Sequence, residues 1–524
     1  MVSETEDVEK TSSATHKEDI EKTLSATHIA ADQAVINSLK ITSADTVYND
    51  EAIKVLAQEH GDDAWSPEEE KRLLRKLDWQ LLPILCFTYG LQYYDKAMLS
   101  QAAIFGIRTD LDLNVGNRYS FSSAILYIGF LFGSYPCSLL AQKYPIERVA
   151  AGLIFVWGIC LMATAACTNH QGLWAQRFLL GLLEGGVSPI FMIVVGGWYR
   201  KQEQALRMGA WFCCTGYAGV VSPLINYGLG QIKGSLSPWK YMYLVAGAIT
   251  IIWAVVVYFF LPPDPIRARG FTPRERYIAV ARMQENNTGV RNTHWKGEQV
   301  METLLDVRFW LHFFIALLMM VGNGPYSTFT PIIVQNFGLN PLNTLLLTIP
   351  AGFITGCIEL AAAFAAYKFK NKRCIIMLCC QVPTVVSCIL QWQLPRSNKG
   401  GLLFAAYIIA SLGGTYAVLL GVVMANSAGY TKRTLNAAGV FIGYCVGNLI
   451  GPLLFKPQDA PAYAPAFIGV LATALATMAL IAIYWYLAVR DNDIRDEAGI
   501  PEGFDHAYED DLTDRKNPQF RYTT

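Results

Sequence analysis

The chain has 524 residues, of which 53% are hydrophobic and only 16% are charged, and its mean hydropathy is +0.28. A soluble protein usually carries about a quarter charged residues, so this composition argues against an ordinary soluble protein and indicates a membrane protein. The formal net charge is zero, which gives no indication of a nucleic-acid partner.

Residues 1–65 are polar and contain an imperfect duplication, in which VEKTSSATH is followed by IEKTLSATH. This segment is too polar to bury a core, so we expect a disordered tail. Lys10 and Lys22 are the lysines of the two copies, and they are either modification sites or simply part of a solvated tail. No apolar signal-peptide segment lies within the first 60 residues, which predicts that the tail stays in the cytosol.

Residues 66–78, SPEEEKRLLRKLD, combine several signals of a helix start. Ser66 suits the N-cap, Pro67 the first helical position and Glu69 a capping box. Acidic residues come first and basic residues follow, as the helix dipole favours. We therefore predict a short amphipathic helix that leads along the cytosolic face into the first membrane span.

Apolar segments long enough to cross a hydrocarbon core of about 30 Å recur through the rest of the chain. We predict an all-α membrane protein with six spans in residues 79–261, a basic cytosolic loop at 262–308, six spans in residues 309–489 and a cytosolic tail at 490–524. The first and seventh spans are the least regular, since they contain YYDKAM and GNGPYSTFTP. The twelve predicted spans are 79–105, 119–141, 147–167, 173–198, 207–231, 239–261, 309–334, 344–366, 374–394, 400–426, 435–455 and 464–488.

The distribution of Lys and Arg predicts the orientation of these spans. If the amino terminus is cytosolic, the short cytosolic loops carry eleven Lys and Arg residues and the opposite loops carry six. This bias favours both termini inside.

A weak internal match indicates that the two sets of six spans are related. LRMGAWFCCTGYAGVVSPLI and LNAAGVFIGYCVGNLIGPLL align at an offset of 229 residues, and each follows a basic turn. We therefore predict two pseudo-symmetric six-helix halves that face each other across a central cavity, which is the plan of a transporter.

Four stretches carry a resemblance to a known family: RFLLGLLEGGVSPIF, GGWYRKQEQALRMGAWF, LPPDPIRARGFTPRERYIAVARM and SAGYTKRTLNAAGVFIGYCVGNLIGP. In order and spacing they resemble the anion:cation symporter branch of the major facilitator superfamily, and within it the fungal allantoate permease group. That group includes carriers for allantoate, cysteine and thiamine-pathway compounds. The tail DLTDRKNPQFRY is also similar to the ends of those proteins. The resemblance implies the major facilitator fold and secondary transport of a small solute.

Arg177 and Glu184 lie seven residues apart in the predicted fourth span, which is nearly two helical turns. They therefore share one helix face, about 20° apart. Ionised side chains are costly in lipid, so we expect this face to meet protein or the central cavity. Arg offers a bidentate fork to a carboxylate, and a Glu in a partly dry site can exchange a proton. The resemblance implies a substrate role for Arg177 and a proton role for Glu184; the alternative is a packing ion pair.

Further polar residues are predicted inside the membrane. Lys96, in the run YYDKAML, matches a position where members of that family carry Arg or Lys, so the resemblance implies a second anion contact there. The adjacent Asp95 is either a proton-coupling group or a packing partner for a basic residue. Glu359 in the eighth span is either another proton site or a hydrogen-bonded packing residue. Asn323 and Tyr326 lie three residues apart in the irregular seventh span and are candidate substrate contacts.

No motif points to an enzyme, a metal site or a cofactor. The sequence contains no Walker A loop, no nucleophile elbow and no His/Cys metal cluster, and we read the twelve cysteines as small packing residues. We therefore expect a monomeric proton-coupled symporter of a small organic anion in the plasma membrane. The alternatives are a proton-antiport exporter of metabolites or drugs and a transporter-like nutrient sensor.

Overall fold

The computed structural model describes residues 65–265, 268, 270–284, 296–369, 371–499 and 512–524. The predicted disordered tail lies outside the described residues, apart from Trp65. The same is true of Lys10 and Lys22 and of the middle of the central loop. The described part of the chain is a helical bundle.

The first helix begins where the sequence predicts it. Glu69 N donates to Ser66 Oγ at 3.2 Å and Ser66 N donates to Glu69 Oε2 at 2.9 Å, which forms the predicted capping box with Pro67 in the first turn. The helix Pro67–Ala102 then continues without a break for 36 residues, about 54 Å. The amphipathic segment and the first span are therefore parts of one helix.

The other eleven spans are long and apolar enough to cross a membrane, and all lie within the described residues. Together with the first helix they make the predicted twelve. The described segment between the halves contributes two shorter helices, Pro273–Gln284 and Gly297–Leu304. The eleven spans are Arg118–Ala141, Ile146–Ala166, His170–Trp198, Arg207–Leu229, Pro238–Phe260, Val307–Gln335, Pro341–Lys368, Arg373–Gln393, Lys399–Ala425, Thr431–Leu453 and Ala464–Glu497.

The seventh span is interrupted, as its Gly- and Pro-containing sequence indicates. The α-helix Val307–Val321 is followed by a π-helical turn, Pro325–Phe329, and by the short helix Thr330–Gln335. By contrast, the first span is continuous through Asp95 and Lys96.

The fourth and tenth spans, which occupy corresponding places in the two halves, are also interrupted. The fourth consists of helices His170–Glu184 and Val187–Trp198, and the tenth has a 3₁₀ turn between Lys399–Ile408 and Leu412–Ala425. A Cβ added at Gly186 would lie 2.3 Å from Cys137 Cβ, so this glycine allows the fourth span to approach the second. No pattern in the sequence indicated this matched pair of breaks.

Helix packing repeats between the two halves. In the first half, span 3 packs on 6, span 2 on 4 and span 1 on 5. In the second half, span 9 packs on 12, span 8 on 10 and span 7 on 11. The halves meet mainly through two equivalent pairs, 5 with 8 and 2 with 11, and span 1 also contacts span 7. This pattern confirms the predicted pseudo-symmetry.

Glycines allow the close approach of spans 5 and 8. A Cβ added at Gly216 would lie 2.2 Å from Gly356 N, and one added at Gly352 would lie 2.5 Å from the carbonyl carbon of Gly219. Small residues at such positions let two membrane helices pack backbone against backbone.

Hydrogen bonds join spans 2, 7 and 11 on the side of the bundle away from residues 65–70 and 512–524, which we call the far side. Tyr119 Oη donates to the Thr328 carbonyl at 2.9 Å, and Ser120 Oγ donates to the Phe455 carbonyl at 3.1 Å. The rings of Phe329 and Phe455 stack at 4.6 Å between centroids, and Tyr463 packs against both. These contacts join the halves at the far side.

Residues 512–524 form a C-terminal strap across the base of the second half. Asp514 pairs with Lys432 at 3.0 Å, and Tyr522 donates to Asp514 at 2.7 Å. The Tyr522 ring lies between the guanidinium groups of Arg308, at 3.9 Å, and Arg495, at 5.0 Å. The strap thus binds the start of the seventh and eleventh spans and the end of the twelfth.

Candidate functional site

A cavity lies between the two halves, lined by spans 1, 2, 4 and 5 of the first half and by spans 7, 8, 10 and 11 of the second. The volume of this cavity is about 110 Å³. Within the described residues, its charged lining side chains are Lys96, Arg177 and Glu359. Asn323 and Tyr326 also line it. Five of the seven residues that the sequence analysis selected therefore face one space.

Two cations form one end of the cavity. Lys96 is half-buried, and its Nζ lies 4.6 Å from the centroid of the Phe130 ring, a cation–π contact. Arg177 is 1% exposed, and its Nη2 donates to Tyr243 Oη at 3.2 Å. Neither cation has an ion-pair partner within 4.0 Å among the described residues. The two positive charges are therefore available to an anion.

Asp95 and Glu184 lie behind the cavity wall rather than on it. Both are fully buried, and none of their four carboxyl oxygens has a donor in hydrogen-bonding geometry within 3.5 Å among the described groups, although the side chain of Trp157 lies near Asp95 and that of Gln92 near Glu184. The charges of Lys96 and Arg177 act on both carboxyl groups. Arg177 and Glu184 share the buried face of the fourth span as predicted, but they do not meet as an ion pair in the described structure.

The position of Glu184 at a helix break has a structural consequence. Glu184 is the last residue of the helix His170–Glu184, so its carbonyl is not used by the next turn of that helix. Gln92 Nε2 from the first span donates to this carbonyl at 3.0 Å. This contact joins the fourth span to the first beside Asp95.

Glu359 lies at another part of the cavity wall and is 6% exposed. Its Oε2 lies 3.1 Å from Thr215 Oγ1, which links the eighth span to the fifth across the two halves. The single proton of this hydroxyl is shared between Oε2 and the Phe212 carbonyl at 3.0 Å. A Cβ added at Gly413 of the tenth span would lie 2.5 Å from Glu359 Oε1. Gly413 therefore leaves the space that the carboxyl group occupies.

A chain of hydroxyl groups crosses the cavity between these two regions. Tyr93 Oη donates to Tyr326 Oη at 3.4 Å, and Tyr326 Oη lies 2.6 Å from Thr355 Oγ1. Asn323, one turn before Tyr326, donates through Nδ2 to Asn448 Oδ1 at 2.5 Å. Tyr326 is thus placed by its neighbours to face the cavity, whereas the amide of Asn323 is engaged with the eleventh span.

Several residues of the site were not selected from the sequence. Tyr93, Thr215, Tyr243 and Gly413 contact or position the charged groups, and all are uncharged residues in apolar spans. The only local signal is that Tyr93 stands one turn from Lys96, on the same face of the first span. Their roles depend on neighbours from other spans.

Comparisons with known proteins agree with this architecture. The family model of the Major Facilitator Superfamily matches residues 85–452. An uncharacterized transporter of Schizosaccharomyces pombe is 34% identical over 478 residues, covering 90% of this chain and 89% of that protein. The allantoate permease of Saccharomyces cerevisiae is 31% identical over 492 residues, covering 90% of both chains. A thiamine pathway transporter of the same yeast is 32% identical over 472 residues, covering 89% of both chains.

Solved structures share the fold at low sequence identity. The xylose transporter XylE from E. coli, in a partially occluded inward open conformation, has a TM-score of 0.60 and 14% identity. The match covers 78% of this chain and 97% of that chain. A bacterial homolog to the human lysosomal transporter Spinster, in an inward-facing and occupied conformation, has a TM-score of 0.56 and 15% identity over 82% of this chain and 98% of that chain.

Proposed function

Because this chain belongs to the major facilitator superfamily, and within it to the fungal allantoate permease-like group, we propose that it is a proton-coupled importer of a small organic anion. That the chain is a secondary transporter follows from the family itself. The family and these relatives are transporters, which are not enzymes. The direction of transport, the proton and the anion are the proposal.

The observation that carries the proposal is the pair of cations, Lys96 and Arg177, in the cavity between the two halves. A carboxylate that binds there gains charge-assisted hydrogen bonds in a partly dry site, where such bonds are strong. Arg177 can offer two parallel N–H groups, and Lys96 adds a point charge. The allantoate permease, named for an organic anion, is consistent with such a substrate.

Coupling to protons follows from the two carboxyl groups behind these cations. Burial of the Asp95 and Glu184 carboxyl groups favours their protonated forms, whereas the positive charges of Lys96 and Arg177 favour the ionised forms. A substrate anion competes for the same two cations, so the carboxyl groups lose part of this stabilisation when it binds. Protonation of Glu184 or Asp95 then becomes more favourable, and anion and proton bind together.

Alternating access requires the two halves to rock about the cavity, and the packing favours this. Each half has its own internal set of helix pairs, and within the described residues the main contacts between the halves are those of span 5 with 8, span 2 with 11 and span 1 with 7. We propose that the monomer is the functional unit, that it lies in the plasma membrane and that both termini are cytosolic.

The experiment is uptake in a host that lacks its own carriers for the tested compounds, beginning with allantoate and a panel of small carboxylates. In Glu184→Gln the shape is kept and the titratable group is lost, so we expect accumulation against a gradient to fall while exchange across the membrane persists. The matched control is Glu298→Gln, because the Glu298 side chain is 87% exposed and far from the cavity wall.

Normal accumulation by a well-expressed Glu184→Gln protein would mean that Glu184 is not the coupling group. Asp95→Asn and Glu359→Gln would then identify which of the other two buried carboxyl groups takes up the proton. Accumulation that does not respond to the pH gradient in the wild type would contradict proton coupling as a whole.

A further inference from the structure

The cavity wall has an acidic part, at Glu359, in addition to the part with Lys96 and Arg177 that binds the proposed anion. Glu359 lies on the wall with Thr215 and Gly413, away from the cations that the proposed function assigns to the substrate carboxylate. Proton coupling through Asp95 and Glu184 also leaves Glu359 without a role. The contacts around Glu359 show which hydrogen-bond donors its carboxyl group has and which it does not have.

Glu359 has one satisfied oxygen and one free oxygen. Oε2 accepts from Thr215 at 3.1 Å, while no described group donates to Oε1 and no described cation lies within ion-pair distance. The carboxyl oxygens of Asp95 and Glu184 are fully enclosed and have no hydrogen-bond partner. Neither oxygen of Glu359 belongs to that class of enclosed, unpartnered atoms. The residue is 6% exposed and lines the cavity, so its carboxyl group borders the space that a substrate enters.

The neighbouring helices are built around this carboxyl group. Any side chain at Gly413 would collide with Oε1, since a Cβ there would come within 2.5 Å. Thr215 comes from the opposite half and contacts the other carboxyl oxygen, Oε2, at 3.1 Å. Three spans, the fifth, eighth and tenth, thus hold one acceptor towards the cavity.

The separation between Lys96 and Glu359 follows from the helices and hydrogen bonds that connect them. Lys96 is three residues, about 4.5 Å, beyond Tyr93 on the first helix. Tyr93 reaches Thr355 through Tyr326, with steps of 3.4 and 2.6 Å. Glu359 is four residues, about 6 Å, beyond Thr355 on the eighth span, which runs in the opposite direction. The cationic end and Glu359 are therefore separated by on the order of 10 Å along the helix axes.

We infer that Glu359, held by Thr215, is the second pole of the substrate site and accepts N–H groups of the substrate. The substrate class is then a carboxylate that carries an ammonium or amide N–H donor at its other end. An acceptor that faces a cavity without a donor loses hydrogen bonds unless the ligand supplies them, and N–H groups do so. This inference rests on the proposed function, because it takes the carboxylate to bind at Lys96 and Arg177.

The experiment uses matched probes on the purified full-length protein. One series is the straight-chain carboxylates of three to seven carbons, and the other is the same acids with a terminal amino group, such as pentanoate and 5-aminopentanoate. Thermal stabilisation of the protein is measured against concentration. At the fitting length we expect the amino acid to act at a concentration about ten-fold lower than its plain partner, because it adds a charge-assisted hydrogen bond.

Variants separate the two ends. Glu359→Gln should lose the preference for the amino series while it keeps the response to plain carboxylates. Thr215→Val should reduce the preference, and Thr215→Ser, which keeps the hydroxyl, should restore it; this pair also serves if Glu359→Gln does not fold. Arg177→Gln should weaken binding of both series, and Glu298→Gln should bind like the wild type.

The outcomes distinguish this inference from the function on which it rests. Equal stabilisation by both series in the wild type, or an intact preference in Glu359→Gln, overturns the role of Glu359 and leaves anion binding in place. An absence of stabilisation by every member of both series contradicts anion binding itself, and the inference with it.

Discussion

At the scale of single residues, Arg177 gives the most direct test of substrate binding. Arg177→Lys keeps the charge but loses the planar fork, and with it one charge-assisted hydrogen bond of about 1.5–3 kcal/mol. We expect the half-saturating substrate concentration to rise about ten-fold or more. Uptake kinetics measure this, with abundance at the membrane measured beside it. Arg490→Lys at an exposed position is the matched control.

The opposite result has a clear meaning. Near-normal affinity in a well-expressed Arg177→Lys protein would remove Arg177 from the binding site and leave Lys96 as the principal anion contact. If Arg177 served only to balance Glu184, the double change Arg177→Gln with Glu184→Gln would restore much of the uptake. The absence of an ion pair between them in the described structure argues against that role.

The charged members of the site could be identified from the sequence because an ionised side chain within an apolar span is costly to expose to lipid. Such side chains must face protein or water, and in a two-half bundle the cavity is the available polar surface. The same argument does not distinguish the residues that line the cavity from those buried behind the lining. Asp95 is adjacent to Lys96 in sequence, yet it lies on another face of the helix and is fully enclosed.

The uncharged members could not be found this way. Thr215 and Gly413 have roles only because Glu359 lies opposite them, on a span more than fifty residues away from either. Tyr243 positions Arg177 from the sixth span, and hydroxyl groups are common enough in membrane helices that none stands out. Long-range pairing of this kind is set by the packing of the bundle and leaves no local pattern.

At the scale of elements, the C-terminal strap should stabilise the second half. The Tyr522 ring is buried between Arg308 and Arg495, and its backbone exchanges two hydrogen bonds of 2.8 Å with Asn492. Tyr522→Ala removes the ring and should cost about 2 kcal/mol or more. A lower melting temperature of the purified protein, followed by tryptophan fluorescence, measures this effect.

The control for the strap is Lys516→Ala on the same segment. The Lys516 side chain is 54% exposed and pairs with an exposed Glu298 at 3.4 Å, a type of contact that contributes little. We expect the Lys516→Ala protein to have the same melting temperature as the wild type. Equal melting temperatures for Tyr522→Ala and the wild type would show that the strap does not hold the second half together.

The pH dependence of the strap follows from the charges around Lys432. Burial alone would raise the pKa of Asp306, but the ammonium of Lys432 at 2.7 Å lowers it below its ordinary value. The stabilisation from this pair is therefore fully present above the unfolded pKa of about 3.9 and is lost only as the pH falls through the lower folded value. Burial and the Asp514 carboxylate raise the pKa of Tyr522, so its hydroxyl stays a donor. The stability difference between the wild type and Tyr522→Ala should be constant from about pH 5 to 7.5.

Local sequence signals predicted the elements unevenly. The capping box at Ser66 and Glu69 was predicted in full, because a cap depends only on residues three apart. The break after Glu184 was not, since GG within an apolar run is also compatible with an unbroken helix packed closely on its neighbour. The strap was expected only as a polar tail, and its ordered part depends on partners far away in the chain.

At the scale of the whole molecule, the pairing of spans makes two halves that meet across the cavity. The internal match between spans 5 and 11 was sufficient to predict this symmetry. In the structure these two spans have equivalent partners, since 5 packs on 1 and 8 while 11 packs on 7 and 2. The sequence does not predict on which side of the cavity the two halves contact each other, because this depends on side chains from both halves.

The far-side contacts should set how readily the cavity opens there. Tyr119→Phe with Ser120→Ala removes the two hydrogen bonds to the Thr328 and Phe455 carbonyls. Each is worth about 0.5–1.5 kcal/mol, so the pair should shift the equilibrium towards far-side opening by about five-fold to 150-fold. An added cysteine in the cavity wall, Ala97→Cys, reports this opening when a membrane-impermeant thiol reagent is applied from outside.

We expect faster labelling in the double variant than in the parent with Ala97→Cys alone. All twelve native cysteines are free, so each rate is corrected by the same protein without the Ala97 substitution. Ser138→Ala is the matched control, because Ser138 Oγ donates only within its own helix, to the Ser134 carbonyl at 2.6 Å. Equal labelling in the double variant and this control would mean that Tyr119 and Ser120 do not hold the far side closed. Faster labelling from the cytosolic side alone would reverse the proposed orientation, because the far side would then face the cytosol.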